Sequence, residues 1–221
     1  MSYPSAHHSV NTAISKQDTK RQRPLSVAKV RTIDPEAKRK KILQTAHQLF
    51  VEKGYHRISI PMIVEVSGVS TGAIYNLFGN KENIARTLYE ELNTRFMLSF
   101  RQRLARQTGT YGKLRAFTEL VFDLTETDPA MMEYLLFMRH TEFVDDMSPV
   151  CLTEAFEIVR NIVKEGMAAG DVKSGDYFAC AVTYTGAILR PVLLHLECVL
   201  PKPLKEYAEE FINNAWDAIK A

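Results

Sequence analysis

Residues 59–82, SIPMIVEVSGVSTGAIYNLFGNKE, constrain the fold more than any other part of the chain. Three residues suited to capping a helix start, Ser59, Ser70 and Asn80, recur at intervals of about ten. Between them stand Gly68 and Gly79, which accept the positive φ that ends a helix sharply. By propensity alone Ile58, Ile60, Ile63, Val64 and Val66 would suit a strand. A short helix is the better reading, because Ser59 caps it, Pro61 suits its first turn, and Ile60, Ile63 and Val64 recur at i, i+3, i+4. Two short helices joined by a Gly-Val-Ser turn form a helix-turn-helix, a unit whose second helix fits the major groove of DNA.

Upstream, Asp34-Pro35-Glu36 combines a cap, a residue suited to the first helical position, and a carboxylate for the positive end of the dipole. Ile42, Ala46, Leu49 and Phe50 then share one face until Gly54. Downstream, Ile84, Leu88, Leu92, Phe96, Phe100 and Leu104 form a long stripe that ends near Thr108-Gly109-Thr110. Further helical patterns follow around residues 114–124, 131–138, 156–163, 177–199 and 204–219. The segment 177–199 is so apolar that it predicts a buried helix, kinked at Pro191. No strand alternation occurs, and an all-α protein of about nine helices is expected.

Composition narrows the class. Apolar residues make up 46% and charged residues 24% of 221 residues, the balance of an ordinary globular protein. No apolar run reads as the roughly 20 residues of a membrane span, and Cys151, Cys180 and Cys198 form no C-x-x-C pair. A reduced, cytoplasmic protein is therefore expected. Residues 1–33 carry Lys16, Lys20, Arg21, Arg23, Lys29 and Arg31 against Asp18 alone, a net +5 in a chain whose total is +2. A basic arm before a mildly acidic body fits a protein that meets a polyanion at one end. The expected organisation is a disordered arm over 1–33, a DNA-binding head over 34–80 and a helical body over 81–221.

The combination of Gly68, Val69, Ser70, Gly72, Tyr75, Phe78, Lys81 and Glu82, with Phe50 and Gly54 upstream, resembles the TetR/AcrR family of transcriptional regulators. The resemblance covers roughly residues 34–84. Val64, Ser67, Pro61 and Leu77 depart from the usual pattern: Ala is usual at the first two positions, and an aromatic or His precedes Phe78.

The residues themselves suggest a division of labour. Ser70 caps the recognition helix from Thr71 to about Leu77, whose free N–H groups suit a phosphate. Thr71, Ala73 and Asn76 are candidates for the groove, where Asn can read adenine and a methyl can touch thymine. Gly72 permits close backbone approach, and Ser59 is a further candidate contact. The resemblance implies phosphate contacts for Tyr75 and Lys81. The arm residues Arg21, Arg23, Lys29 and Arg31 could follow the minor groove or add only salt-sensitive affinity.

For the body, the resemblance implies a small-molecule effector that shifts the two recognition helices of a homodimer away from a palindromic operator. Candidate effector contacts are Phe117, Tyr134, Phe137, Met138, His140, Phe143, Tyr184 and Arg190. Arg190 is singled out because a charge within an apolar helix needs a partner. Dimerisation through the last two helices is expected. No cofactor is expected, and no Cys/His/Asp cluster has metal-site spacing. Two alternatives stay open: a regulator or activator without an effector, and a helical enzyme using His140, Glu142, Asp145 and Asp146.

Overall fold

The computed structural model describes residues 34–144, 149 and 152–221. Among them are nine α-helices: α1 (Pro35–Lys53), α2 (Ile60–Ser67), α3 (Thr71–Phe78), α4 (Lys81–Leu104), α5 (Gly109–Thr127), α6 (Pro129–Leu136), α7 (Glu154–Ala169), α8 (Tyr177–Leu196) and α9 (Ala208–Asp217). The basic arm, Asp145, Asp146 and Cys151 lie outside the described residues.

The helix boundaries follow local chemistry. The Asp34 side chain accepts from the Glu36 N–H, and the Gly54 N–H closes α1 on the Phe50 carbonyl. Asp128 ends α5 and begins α6, accepting the Met131 N–H through its side chain. Gly170, at φ 82°, ends α7. Where α7 meets α5, a Cβ on Gly166 would lie 2.4 Å from Thr110 Cγ2, so a side chain there would force the helices apart.

Two apolar cores organise the molecule. The first gathers Ile42, Ala46, Phe50, Ile63, Ile74, Phe78 and Ile84 from α1–α4. The second gathers Phe96, Phe100, Phe117, Val121, Val159, Tyr184, Ile188 and Val192 from α4, α5, α7 and α8. α4 belongs to both, because its stripe runs the whole length of the helix, about 36 Å at 1.5 Å per residue. Each buried Phe or Ile contributes about 1.5–3 kcal/mol. Tyr134 and Val144, distant in sequence, are also part of the first core. The three-helix head therefore does not close its core alone.

Two expectations about residues 177–199 need correction. α8 is long and apolar enough to cross a membrane by length and composition. It nevertheless packs on α5, α7 and α9, burying Cys180, Ala181, Tyr184, Thr185, Ile188, Pro191 and Val192. Nor is it wholly buried, since Phe178 and Val182 are exposed. The helix runs unbroken through Pro191 to Leu196.

Candidate nucleic-acid interface and effector cavity

The helix-turn-helix is held by short-range hydrogen bonds at each junction. Ser59 Oγ accepts from the Met62 N–H at 3.5 Å, and Ser70 Oγ from the Ala73 N–H at 3.4 Å. Gly68 takes the left-handed conformation, φ 64°, between the two helices. Ser67 is fully buried, and its hydroxyl accepts the Val69 N–H at 3.1 Å. The residue standing where the family pattern usually has Ala thus latches the turn. Asn80 caps α4 by accepting from the Asn83 N–H at 2.7 Å, while Asn83 Nδ2 donates to the Phe78 carbonyl at 2.8 Å.

These constraints fix which face of α3 is free. Ile74 and Phe78 point into the head core, and Ala73 and Leu77 pack partly against it. Thr71, Gly72, Tyr75 and Asn76 are exposed, with Tyr75 52% accessible. Ser59 and Ser70 are exposed at the two helix starts. Seven of the eight candidate DNA contacts therefore lie at the surface or on its edge.

Lys81 has a different occupation. Its Nζ donates to the Tyr55 carbonyl at 3.0 Å and to the Ile58 carbonyl at 2.8 Å, and sits 3.9 Å from the centroid of the Tyr55 ring. Partial burial lowers its pKa from the usual lysine range. Two of its three ammonium donors are engaged in tying α4 to the segment before α2. Lys81 is a structural clamp, a role the resemblance did not suggest.

Another basic residue was missed in the sequence reading. Lys41, exposed on α1, has its Nζ 3.9 Å from where a Cβ on Gly68 would lie. The signal was present as the run Lys38-Arg39-Lys40-Lys41. Helical periodicity alone does not show that one of these ammonium groups reaches the inter-helical turn.

The body contains two adjoining cavities that share Tyr89, Leu135 and Leu136. One, with room for little more than a water molecule, is walled mainly by apolar residues of α4–α7 that include Phe96, Phe117, Met132 and Phe156. The other, roomier, continues past the end of α6 along Phe137, Met138, Arg139, His140 and Thr141. Of the candidate effector contacts, Phe117 lines the first cavity and Phe137, Met138 and His140 line the second. Tyr89, Phe96, Met132 and Phe156 were missed, because on a helix a cavity wall and a filled core give the same sequence periodicity.

Four candidate effector contacts are corrected. Tyr134 is fully buried in the head core, and its hydroxyl donates to the Ala85 carbonyl at 2.9 Å. The Tyr184 hydroxyl is 2.8 Å from that of Thr118 inside the body core. Phe143 stacks on Tyr55 of the head segment. Arg190 is exposed on α8, so its charge is solvated and needs no internal partner.

His140 is 5% exposed, and its Nε2 lies 2.7 Å from the Tyr134 carbonyl. Burial lowers its pKa, only partly opposed by that hydrogen bond. Burial likewise raises the phenol pKa values of Tyr89 and Tyr134. His140 and Tyr89 are thus neutral, desolvated groups in the cavity wall, and Tyr134 is one in the head core.

The comparisons with known proteins agree with this geometry. The family profile described as "Bacterial regulatory proteins, tetR family" matches residues 42–88, which span α1 to the start of α4. The chain is 26% identical over 137 residues to the fatty acid metabolism regulator protein of Bacillus subtilis, covering 61% of this chain and 70% of that protein. It is 25% identical over 168 residues to the HTH-type transcriptional regulator TtgR of Pseudomonas putida, covering 71% and 80% respectively. The solved structure of the transcriptional regulator FadR from Bacillus subtilis, in complex with stearoyl-CoA, superposes with a TM-score of 0.67 at 20% identity, covering 81% of this chain and 98% of that one. A head that matches the tetR profile over residues 42–88, and relatives named as transcriptional regulators, lead to one conclusion: the chain is a DNA-binding transcriptional regulator with a tetR-type head.

Proposed function

We propose that this protein is a homodimeric repressor released from a palindromic operator when an apolar small molecule occupies the body. The observation that carries the reading is the double role of α6. It supplies Met132, Leu135 and Leu136 to the cavity walls and Tyr134 to the head core. A ligand that binds better to one arrangement of α6 therefore shifts the head, and only by that difference in affinity. The Bacillus relatives, one named for fatty acid metabolism and one solved with stearoyl-CoA, support an effector that carries a long apolar chain.

Residues 34–80 act as the DNA-reading head and 81–221 as the effector and dimer body, with α4 continuous between them. Thr71, Gly72, Ala73 and Asn76 face base edges, while Ser59, Ser70 and Tyr75 contact phosphates, which position without specifying. Dimerisation uses α8: its exposed apolar residues Phe178 and Val182 repeat at i, i+4. The outward residues of α9, among them Glu209, Glu210 and Asn213, are polar and form the rim. The protein acts in the cytoplasm, on chromosomal DNA.

The test is a mobility-shift titration on DNA upstream of the protein's own gene, with and without a cell metabolite extract. Release by extract supports the reading. Retained binding points to a constitutive regulator, and the absence of any salt-resistant specific complex overturns the operator assignment.

A further inference from the structure

His140 sits where the cavity, α6 and the head segment meet. Its ring lies 4.8 Å from that of Tyr89 on α4, 4.7 Å from Tyr134 on α6 and 5.5 Å from Phe143, measured between centroids. The Tyr134 carbonyl can only accept, so Nε2 carries the ring proton and Nδ1 is a bare acceptor. Nδ1 is buried and has no hydrogen-bond partner among the described residues. An acceptor left so is costly, and native interiors rarely tolerate this without a reason.

The surroundings indicate what would satisfy it. His140 lines the second cavity with Tyr89, Leu135, Leu136 and Met138. The cation in that wall, Arg139, has a side chain 82% exposed and pairs with Glu142 at 3.0 Å, so its charge faces outward. An anionic group at Nδ1 would meet an acceptor with no inward-facing cation to compensate among the described residues. An ester or thioester carbonyl would bring a second acceptor to the first. A hydroxyl or amide N–H meets the requirement.

We propose that His140 reads the effector: its Nδ1 accepts a hydrogen bond from a hydroxyl or amide N–H on an otherwise apolar, uncharged molecule whose body fills the cavity between α4 and α6. This rests on the effector-gated reading above and specifies the chemistry of its ligand. Burial, which keeps the imidazole neutral, preserves the acceptor. A hydrogen bond made in this water-poor setting separates donors from non-donors strongly. The same ring packs against Phe143, which stacks on Tyr55, so contact at Nδ1 bears directly on the segment joining body to head.

The test is calorimetric titration of the full-length protein with three probes of equal chain length: 1-decanol, 1-methoxydecane and decanoate. In the wild type, 1-decanol is expected to bind at least about 10-fold more tightly than 1-methoxydecane, the consequence of leaving a buried acceptor unmet. In His140→Phe the two are expected to agree within about 2-fold, with the 1-methoxydecane affinity retained. Equal affinities for the two in the wild type, tightest binding by decanoate, or no binding of any probe overturns the assignment. The wild-type series decides even if His140→Phe folds poorly. Operator release is measured separately by fluorescence anisotropy. Donor-selective binding without release overturns the effector-gated reading and leaves His140 as a ligand contact.

Discussion

The ring of Phe143 lies face to face with that of Tyr55, centroids 3.8 Å apart and planes 12° from parallel. Phe143 comes from the segment that follows α6, and Tyr55 from the turn between α1 and α2. The Tyr55 carbonyl is held in turn by Lys81 at the start of α4. One aromatic pair thus joins the segment after α6 to the base of the helix-turn-helix head. Such stacking adds about 0.5–1.5 kcal/mol beyond area burial, enough to couple the two without locking them.

Lys81→Met is expected to lower stability by about 1–3 kcal/mol, because the Tyr55 and Ile58 carbonyls lose a charged donor. Thermal unfolding measures this. The salt dependence of operator binding should keep its slope. A slope smaller by about one would show that Lys81 neutralises a phosphate after all.

Tyr75→Ala should act oppositely. Its side chain is half exposed on α3, so stability should change by no more than about 0.5 kcal/mol. Operator affinity should fall by a similar factor on matched and mismatched sequences, as anisotropy titrations would reveal. A drop confined to one base position would mean that Tyr75 reads sequence instead of positioning the head.

His140 makes stability depend on pH in a definite direction. Its pKa is lowered in the folded protein from the ordinary value of 6.5. Above 6.5 the group is neutral in both states, and its contribution is fully present. As pH falls below 6.5 the unfolded chain takes up the proton first, and stability is lost progressively through the lower folded value. The melting temperature should therefore drop more between pH 7 and pH 5 in the wild type than in His140→Phe. Parallel curves would place the acid sensitivity elsewhere.

Val182→Asp tests the proposed dimer face. Val182 is 51% exposed on α8, so a carboxylate there costs the folded monomer little. Sedimentation should shift from dimer to monomer with helical circular dichroism preserved. An unchanged sedimentation coefficient would move the interface away from this face of α8.

The head was legible because its signals are local. Asp34, Ser59, Ser70 and Asn80 each cap a helix within three residues of themselves. Gly68 and Gly79 take positive φ where the chain turns. The body was legible only as a succession of helices. Phe117 and Tyr184 carry the same periodicity, yet one lines a cavity and the other is bonded to Thr118 in the core. Arg190 looked buried because its sequence neighbours are apolar, while its position on α8 turns it to solvent.

By itself, the sequence determined the nine helices, their ends and the exposed face of α3. Caps, glycine turns and i, i+4 spacing depend on residues at most a few positions apart. Tertiary structure alone decided the occupations of Lys81, Tyr134 and His140. Each depends on a backbone carbonyl or a ring delivered by another segment: the Tyr55 carbonyl lies 26 positions before Lys81, and the Ala85 carbonyl 49 before Tyr134. No local pattern encodes such meetings. The helix-turn-helix is therefore as much a product of its own residues as of α4 and the segment after α6, which complete its core and give the body a hold on it.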